Sequence, residues 1–327
     1  MPPAVRRFFI SGLLVAGLVV LVGVGFLAWI GSGGGLTPVA PAGEGAKGIQ
    51  SIYVFVGAFA SAIFLVVTIP LALFTIRFRQ GGRERSEEGP QIRGHTRLEL
   101  VWTIVPILIL IAIGAFTFAK LGGIRTPEDA AAGAGAGELV VKVESRQFYW
   151  RFVYANGAVS FDTIRLPVDR TVRLVITAPD WDVIHSFWVP ALGGKTDAIP
   201  GITNELRLRP TRTGTFQGKC AELCGIQHSA MLFTAEVVSQ AEFDRWLGQA
   251  ASRKDLGQEI FQQVCSKCHF AAPEYAPNIA GNPILGDAQA LRTIVENGRG
   301  RMPPVGRDWT ERELKALLEF TGGMSGG

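Results

Sequence analysis

The sequence predicts a multidomain membrane protein: a two-helix transmembrane hairpin, then a β-sandwich, then a small all-α domain. Three observations predict it. Two stretches, Ile52–Ile76 and Leu100–Ala119, are apolar, carry no charge and are long enough to span a bilayer. From Glu138 the apolar residues recur with period two, the mark of strands. Beyond residue 252 the spacing turns helical around Cys265-Ser266-Lys267-Cys268-His269. The 327 residues suffice for two or three domains, and 48% are hydrophobic, a high share concentrated near the N-terminus. The net charge is only +4, and no basic cluster is interleaved with aromatics, so nucleic acid is excluded as a partner.

In chain order, Phe8–Ile30 is an apolar run behind Arg6 and Arg7. Residues 1–42 read as a signal peptide or an extra membrane segment, with Ala40-Pro41-Ala42 as the cleavage site. Ser32–Gly48 is rich in Gly, Pro and Ala and reads as a flexible connector. Residues 43–126 form the hairpin, with spans at about 52–76 and 100–119. Pro70 and Pro106 lie inside the spans, where membrane helices tolerate proline. The loop Arg77–Arg97 holds six Arg against Glu84, Glu87 and Glu88, which places it in the cytoplasm. Everything after Lys120 is then outside. Arg6 and Arg7 also belong inside, so cleavage does not change the topology. Glu99 opens the second span, and a carboxylate there suits the helix dipole. Pro127–Gly137 is an Ala/Gly-rich linker.

Residues 138–250 carry the strand pattern. Val141 and Val143, then Phe148, Trp150, Phe152 and Tyr154, fall on alternate positions. Val172, Leu174 and Ile176 do the same, as do Leu206 and Leu208. Asn156-Gly157, Pro167, Pro179 and Gly214 punctuate the runs, as turns do in a β-sandwich or barrel.

Cys220-Ala221-Glu222-Leu223-Cys224-Gly225-Ile226-Gln227-His228-Ser229-Ala230-Met231 gathers two thiols, an imidazole and a thioether. His185 lies earlier in an apolar setting. This soft donor set favours copper, and two thiolates can bridge two copper ions. Each copper would take one His, with Met231 and a backbone carbonyl as weak ligands. Two other readings stand: one structural zinc, which leaves Met231 without a role, or a disulfide.

Cys265-x-x-Cys268-His269 is the attachment signature of c-type haem: the thiols bond the vinyls and the His ligates iron. A bare C-x-x-C also serves as a redox dithiol or half a zinc site, but the adjacent His and the export topology favour haem. Met302, before Pro303-Pro304, is the candidate for the second axial ligand, and Met raises the potential. Met302 as a core filler is the bland alternative. Met324 lies in a Gly/Ser tail. Leu256–Val264, Ala288–Asn297 and Glu311–Phe320 read as helices, the last with Leu314, Leu317 and Leu318 on one face.

Cys220–Met231 resembles the loop that binds the dinuclear CuA centre in subunit II of cytochrome c oxidase. Asp182-Val183-Ile184-His185-Ser186-Phe187 and Lys195-Thr196-Asp197-Ala198-Ile199-Pro200-Gly201 match the same family, and the resemblance runs from about Ile52 to about Leu247. It implies a cupredoxin-like sandwich closed by a helix at Ala241–Ala250. It implies CuA ligands His185, Cys220, Glu222 through its carbonyl, Cys224, His228 and Met231. It also implies magnesium at the Glu222 side chain on a subunit interface, and Glu99 near the mouth of a proton path. In the family an exposed Trp of the cluster Arg146–Trp150 receives electrons from soluble cytochrome c. That position aligns with Phe148 here, with the inward Trp150 as the other candidate for electron entry, so docking of a separate cytochrome departs from the family pattern. Residues 252–323 resemble a class I cytochrome c domain.

The resemblance implies subunit II of a haem–copper terminal oxidase. Electrons would pass from fused haem c to CuA and on to a catalytic subunit that reduces oxygen and pumps protons. The implied partners are subunit I, other oxidase subunits, membrane lipid, and an upstream donor such as a bc-type complex or a soluble cytochrome. The implied place is the bacterial plasma membrane, multi-pass, with both metal domains on the outer, periplasmic face. The alternatives are a membrane-anchored carrier for another reductase, such as nitric oxide reductase, and a non-redox zinc or disulfide module. A quinol-oxidase subunit is disfavoured because that branch lacks the copper ligands. Lys195, Asp197 and Asp182 receive no firm role, and His95 reads as a polar loop residue.

Overall fold

A computed structural model describes residues 39–77, 91, 93–125, 138–271 and 274–324. The apolar run Phe8–Ile30, most of the Arg-rich loop and the linker Pro127–Gly137 fall outside them. The chain divides into two units, residues 1–40 with 48–122, and residues 41–47 with 123–327.

In the first unit, the uncharged runs form the body of two helices, α1 (Glu44–Arg77) and α2 (Thr96–Arg125). Both exceed the predicted spans, and at a rise of about 1.5 Å per residue each is long enough to cross a bilayer. Pro70 and Pro106 lie inside them. Phe64, Leu71, Ile76, Trp102, Leu110 and Phe118 are exposed, as lipid-facing residues are. Phe55 stacks on Phe116 with ring centroids 4.2 Å apart. The start of α2 is capped by side chains. His95 Nδ1 accepts from Leu98 N–H (3.2 Å), and Glu99 Oε1 accepts from His95 N–H (2.9 Å).

The second unit begins earlier than a flexible connector allows. Ala42 is fully buried, its N–H donates to Ala191 O (2.7 Å) and its carbonyl accepts from Thr211 N–H (2.7 Å). The expected connector is therefore ordered from here on, and a cut after Ala42 would remove a residue packed in the globular core.

Ten strands follow: β1 (Leu139–Arg146), β2 (Tyr149–Tyr154), β3 (Val159–Phe161), β4 (Thr163–Pro167), β5 (Val172–Thr177), β6 (His185–Trp188), β7 (Thr196–Ala198), β8 (Asn204–Leu208), β9 (Gly214–Cys220) and β10 (Leu232–Val238). They form two sheets, β3-β2-β1-β5-β8 and β4-β10-β9-β6-β7. The β1–β5 and β4–β10 pairs are parallel and the others antiparallel. Val141, Val143, Trp150, Phe152, Leu174 and Ile176 of one sheet meet Phe187, Phe233 and Ala235 of the other in one apolar core. This is the predicted sandwich. Helix α3 (Gln240–Ala250) opens with a reciprocal Ser239–Glu242 cap and lays Phe243, Trp246 and Leu247 on that core.

One strand departs from one-sided burial. In β2, Trp150 and Phe152 face the sandwich core, while Tyr149 and Arg151 on the opposite face are buried as well. The cover comes from the C-terminal helices: α4 (Leu256–Ile260), a wide helical turn Phe261–Cys265, α5 (Ser266–His269), α6 (Ala288–Asn297) and α7 (Glu311–Met324). Helix α7 runs past the predicted Phe320, because Thr321 is buried and bonds back to Leu317 O. Helices α4 and α7 cross so closely that a Cβ at Gly257 would fall 2.0 Å from Ala316 O. Tyr149, Val159 and Phe161 of the sandwich join Ile260, Leu291, Trp309 and Leu317 in a second core.

Candidate functional site

The first cluster sits where two strands end. His185 opens β6, Cys220 closes β9, and Cys220 N–H donates to Met231 O (3.0 Å) at the base of the β9–β10 loop. Ala221 N–H donates to Ser186 O (2.9 Å), tying the loop to β6. Sheet hydrogen bonds, which act on backbone and not on side-chain chemistry, thus set the donors close together. Gly225 has φ +129°, a conformation that favours glycine, and a Cβ there would lie 3.0 Å from Gln147 Nε2 and 3.2 Å from the Phe148 ring.

The side chains converge. Cys220 Sγ and Cys224 Sγ are 3.9 Å apart, and both thiols are free. His185 Nδ1 lies 3.8 Å from Cys220 Sγ, and His228 Nδ1 lies 3.6 Å from Cys224 Sγ. Met231 Sδ is 3.7 Å from Cys224 Sγ, and Glu222 O is 3.3 Å from Cys220 Sγ. His185 and Met231 are fully buried. The thiols share protons unequally. Their mutual hydrogen bond holds Cys220 well below the ordinary thiol range, and the same bond with burial pushes Cys224 up. A metal ion bound by both sulfurs displaces the proton that remains.

Asp182, with its side chain 1% exposed, faces His185 Nε2 at 3.5 Å. Burial works to lower the His185 pKa, but Asp182 and Cys220 outweigh it and raise it. A carboxylate on the far nitrogen keeps the proton there and leaves Nδ1 to a metal. Asp182 is itself anchored, accepting from Gln147 N–H (3.0 Å) and Val183 N–H (2.7 Å).

The second cluster surrounds a cavity lined by Cys265, His269, Pro277, Arg299 and Met302. Cys265 closes the wide turn and Cys268 lies in α5, three positions on. His269 Nδ1 donates to Pro277 O (2.7 Å). A carbonyl only accepts, so Nδ1 carries the hydrogen and Nε2 keeps the lone pair an iron ligand needs. Met302 is held by two backbone hydrogen bonds with Arg299 (both 3.0 Å). Apolar surroundings push the Cys265 thiol up to about 12.

The two clusters share a wall. The cavity that holds Cys265, Cys268 and His269 is also lined by Phe148, Ile226 and Gln227 from around the Cys220–Met231 loop. The interface is polar as well as apolar. Arg151 grips the buried Glu313 through Nε (2.7 Å) and Nη2 (2.8 Å) and reaches Glu144 through Nη1 (2.6 Å). Tyr149 OH donates to Val305 O (2.6 Å) and accepts from Trp309 Nε1 (2.9 Å). Burial raises the Tyr149 pKa above its usual value.

The profile described as Cytochrome C oxidase subunit II, periplasmic domain, matches residues 162–238, and its transmembrane counterpart matches residues 38–120. A cytochrome c oxidase subunit 2 from Alkalihalophilus pseudofirmus is 30% identical over 84% of this chain and 88% of that protein. The chain belongs to the cytochrome c oxidase subunit II family. A second subunit 2, from Thermostichus vulcanus, is 32% identical over 72% of this chain and 84% of that protein. Residues 252–320 match Cytochrome C oxidase, cbb3-type, subunit III, so this member carries a cytochrome c domain at its C-terminus. The periplasmic domain of subunit II of cytochrome oxidase from Bradyrhizobium japonicum is 32% identical over 36% of this chain and 95% of that one, with TM-score 0.33. The membership makes this a membrane protein with a periplasmic domain, working in an oxidoreductase complex, and points to copper at the first cluster and haem at the second.

Of the other predicted residues, Trp150 is buried, its ring 6.1 Å from that of His185. Phe148 lies between the clusters. The Glu222 side chain is exposed, and among the described residues the one gathered group of metal-ligating side chains is His185, Cys220 and Cys224, so the magnesium expectation finds no support here. Glu99 and His95 cap α2. Sequence reasoning left out Asp162, Arg151 and Glu313, and it gave Asp182 no firm role. Asp182 alone had a local signal, three residues before His185.

Proposed function

We propose that this subunit relays electrons from a covalently bound haem c to a dinuclear CuA centre and on to a catalytic partner subunit that reduces oxygen. The observation that carries the reading is the pairing of each imidazole Nδ1 with a different thiol, 3.8 Å at Cys220 and 3.6 Å at Cys224. One zinc ion asks four donors to meet at a single point. Here the donors divide between two sulfurs, as two bridged ions require. His185, Cys220, the Glu222 carbonyl, Cys224, His228 and Met231 would hold copper. Cys265 and Cys268 would bind the haem, with His269 and Met302 as axial ligands.

When bound, both groups accept and release single electrons. The chain's own work is positional. Strand ladders hold the copper donors, the Pro277 carbonyl orients His269, and Phe148 fills the space between the sites. The haem domain occupies the side from which a separate cytochrome would deliver electrons, and Phe148 is the point of arrival. We place the hairpin as a multi-pass anchor in a bacterial plasma membrane, beside subunit I and lipid, with an upstream bc-type complex or soluble cytochrome as donor.

The test is spectroscopic. The haem-matured chain loaded with copper should show two coppers sharing one unpaired electron, plus one covalent low-spin haem. Zinc or no metal at Cys220 would reduce the protein to a tethered cytochrome. Glu99 is proposed to lie at the mouth of the partner's proton path. Glu99→Gln should slow turnover and proton uptake in the assembled oxidase, and unchanged values would remove that role.

A further inference from the structure

Lys267 occupies a variable position of the C-x-x-C-H motif, where a lysine would ordinarily be solvated. Here its side chain is mostly covered, at 17% exposure. Its ammonium forms an ion pair with Asp162 Oδ2 (2.6 Å) and donates to Phe148 O (3.3 Å) and Leu232 O (3.3 Å), all on the sandwich. Asp162 is rigid: Oδ1 accepts from Trp150 N–H (2.8 Å), and its backbone N–H donates to Trp150 O (2.8 Å) while its carbonyl accepts from Thr234 N–H (2.8 Å).

The acceptors adjoin the copper cluster. Leu232 follows Met231. Phe148 follows Gln147, whose Nε2 donates to Cys224 O. From the haem-bearing turn to the backbone of Cys224 the route therefore needs two hydrogen bonds, at Phe148 O and Cys224 O, joined by the covalent frame of Gln147 and Phe148. The other ties across this interface belong to α7, to the segment before it and to α4, where Glu259 Oε1 accepts from Phe161 N–H (2.6 Å). Lys267 is the tie on the turn that carries Cys265, Cys268 and His269.

We propose that Lys267 is a positioning residue for electron transfer between the haem and copper sites, clamping the haem-bearing turn to Asp162 and to the backbone of the copper domain. The proposal rests on the haem–copper reading above. In the step, one electron leaves ferrous haem iron, which becomes ferric, and reduces the copper centre by one. No bond or proton changes place, so the rate depends on spacing and route.

The test uses the full haem-matured chain as wild type, Lys267→Met, and the double variant Lys267→Met/Asp162→Asn, which leaves no buried carboxylate unpaired. Amide hydrogen exchange over residues 264–270 is measured before copper loading. After loading, the haem is reduced by a flash-activated ruthenium complex and equilibration with copper is followed. Both variants should keep haem and copper spectra, exchange about tenfold faster over the turn, and equilibrate about tenfold or more slowly, as displaced reaction partners do. The proposal is overturned by equilibration at the wild-type rate in both variants, with or without faster exchange. It is also overturned if the double variant regains the rate that the single one loses, since Lys267 would then only balance a charge. A wild-type chain without haem or copper would instead defeat the parent reading, and exchange over the turn would still report whether Lys267 holds it.

Discussion

The two clusters are built in opposite ways. The donors proposed for copper are brought together by strands: Cys220 and Met231 close a ladder, His185 starts a neighbouring strand, and the sulfurs and imidazoles fill the space between themselves. The donors proposed for haem come mainly from one short motif, and they line a cavity while remaining half-buried. A small ion needs donors already within reach of one another. A large flat cofactor, bonded covalently, needs a shaped space and a few anchors. The copper site should therefore depend on the tertiary fold, and the haem site on local sequence plus docking.

The largest effect should come from Cys220→Ser. It removes the thiol that faces both His185 and Cys224, and copper retention should fall more than about 100-fold, beyond the usual cost of an outer-shell change. Covalent haem should persist, as seen in the optical spectrum, and loss of both cofactors would show that the sites are not independently built.

Arg151→Met comes next. It strands Glu313, whose side chain is 1% exposed, and should destabilise the docked cytochrome domain by about 3–5 kcal/mol in thermal or denaturant unfolding. The double variant Arg151→Met/Glu313→Leu should recover most of that. If the single variant unfolds like wild type, the docking does not rest on this pair.

Asp162 sharpens the comparison through pH. Burial raises its carboxyl from 3.8 to about 6, against the pull of Lys267 and with a small push from Glu259. A raised carboxyl contributes stability that is full below 3.8 and is lost as pH rises through about 6. The unfolding free energy should thus decline across that window, and Asp162→Asn should flatten the decline, by at most about 3 kcal/mol. A slope unchanged by the substitution would assign it to other groups.

The smallest effect is expected from Asp182→Asn. Copper should be lost to a chelator about 10–100-fold more readily, with the strands intact. Equal retention would mean that the ladder alone orients His185.

The membrane spans were legible because an uncharged apolar run has few other uses, and the strands because one face of the sandwich alternates with the other. The C-x-x-C-H motif was legible because haem attachment demands two thiols three positions apart with an imidazole directly after the second. What escaped was everything that depends on a distant partner. Tyr149 and Arg151 read as the outer face of a half-buried strand, yet their cover lies some 160 positions away. The segment before α1 read as a connector because small residues look alike whether they are free or packed under Ala191.

Sequence by itself determined the residue types at both sites, the two apolar spans and the order of the domains, because each of these is written in a contiguous stretch. Tertiary structure alone decided that the cytochrome domain lies on β2, that Asp182 backs His185, and that Lys267 bridges the two sites. Those facts depend on buried charges finding opposite partners, and a buried charge is tolerated only where the fold delivers that partner.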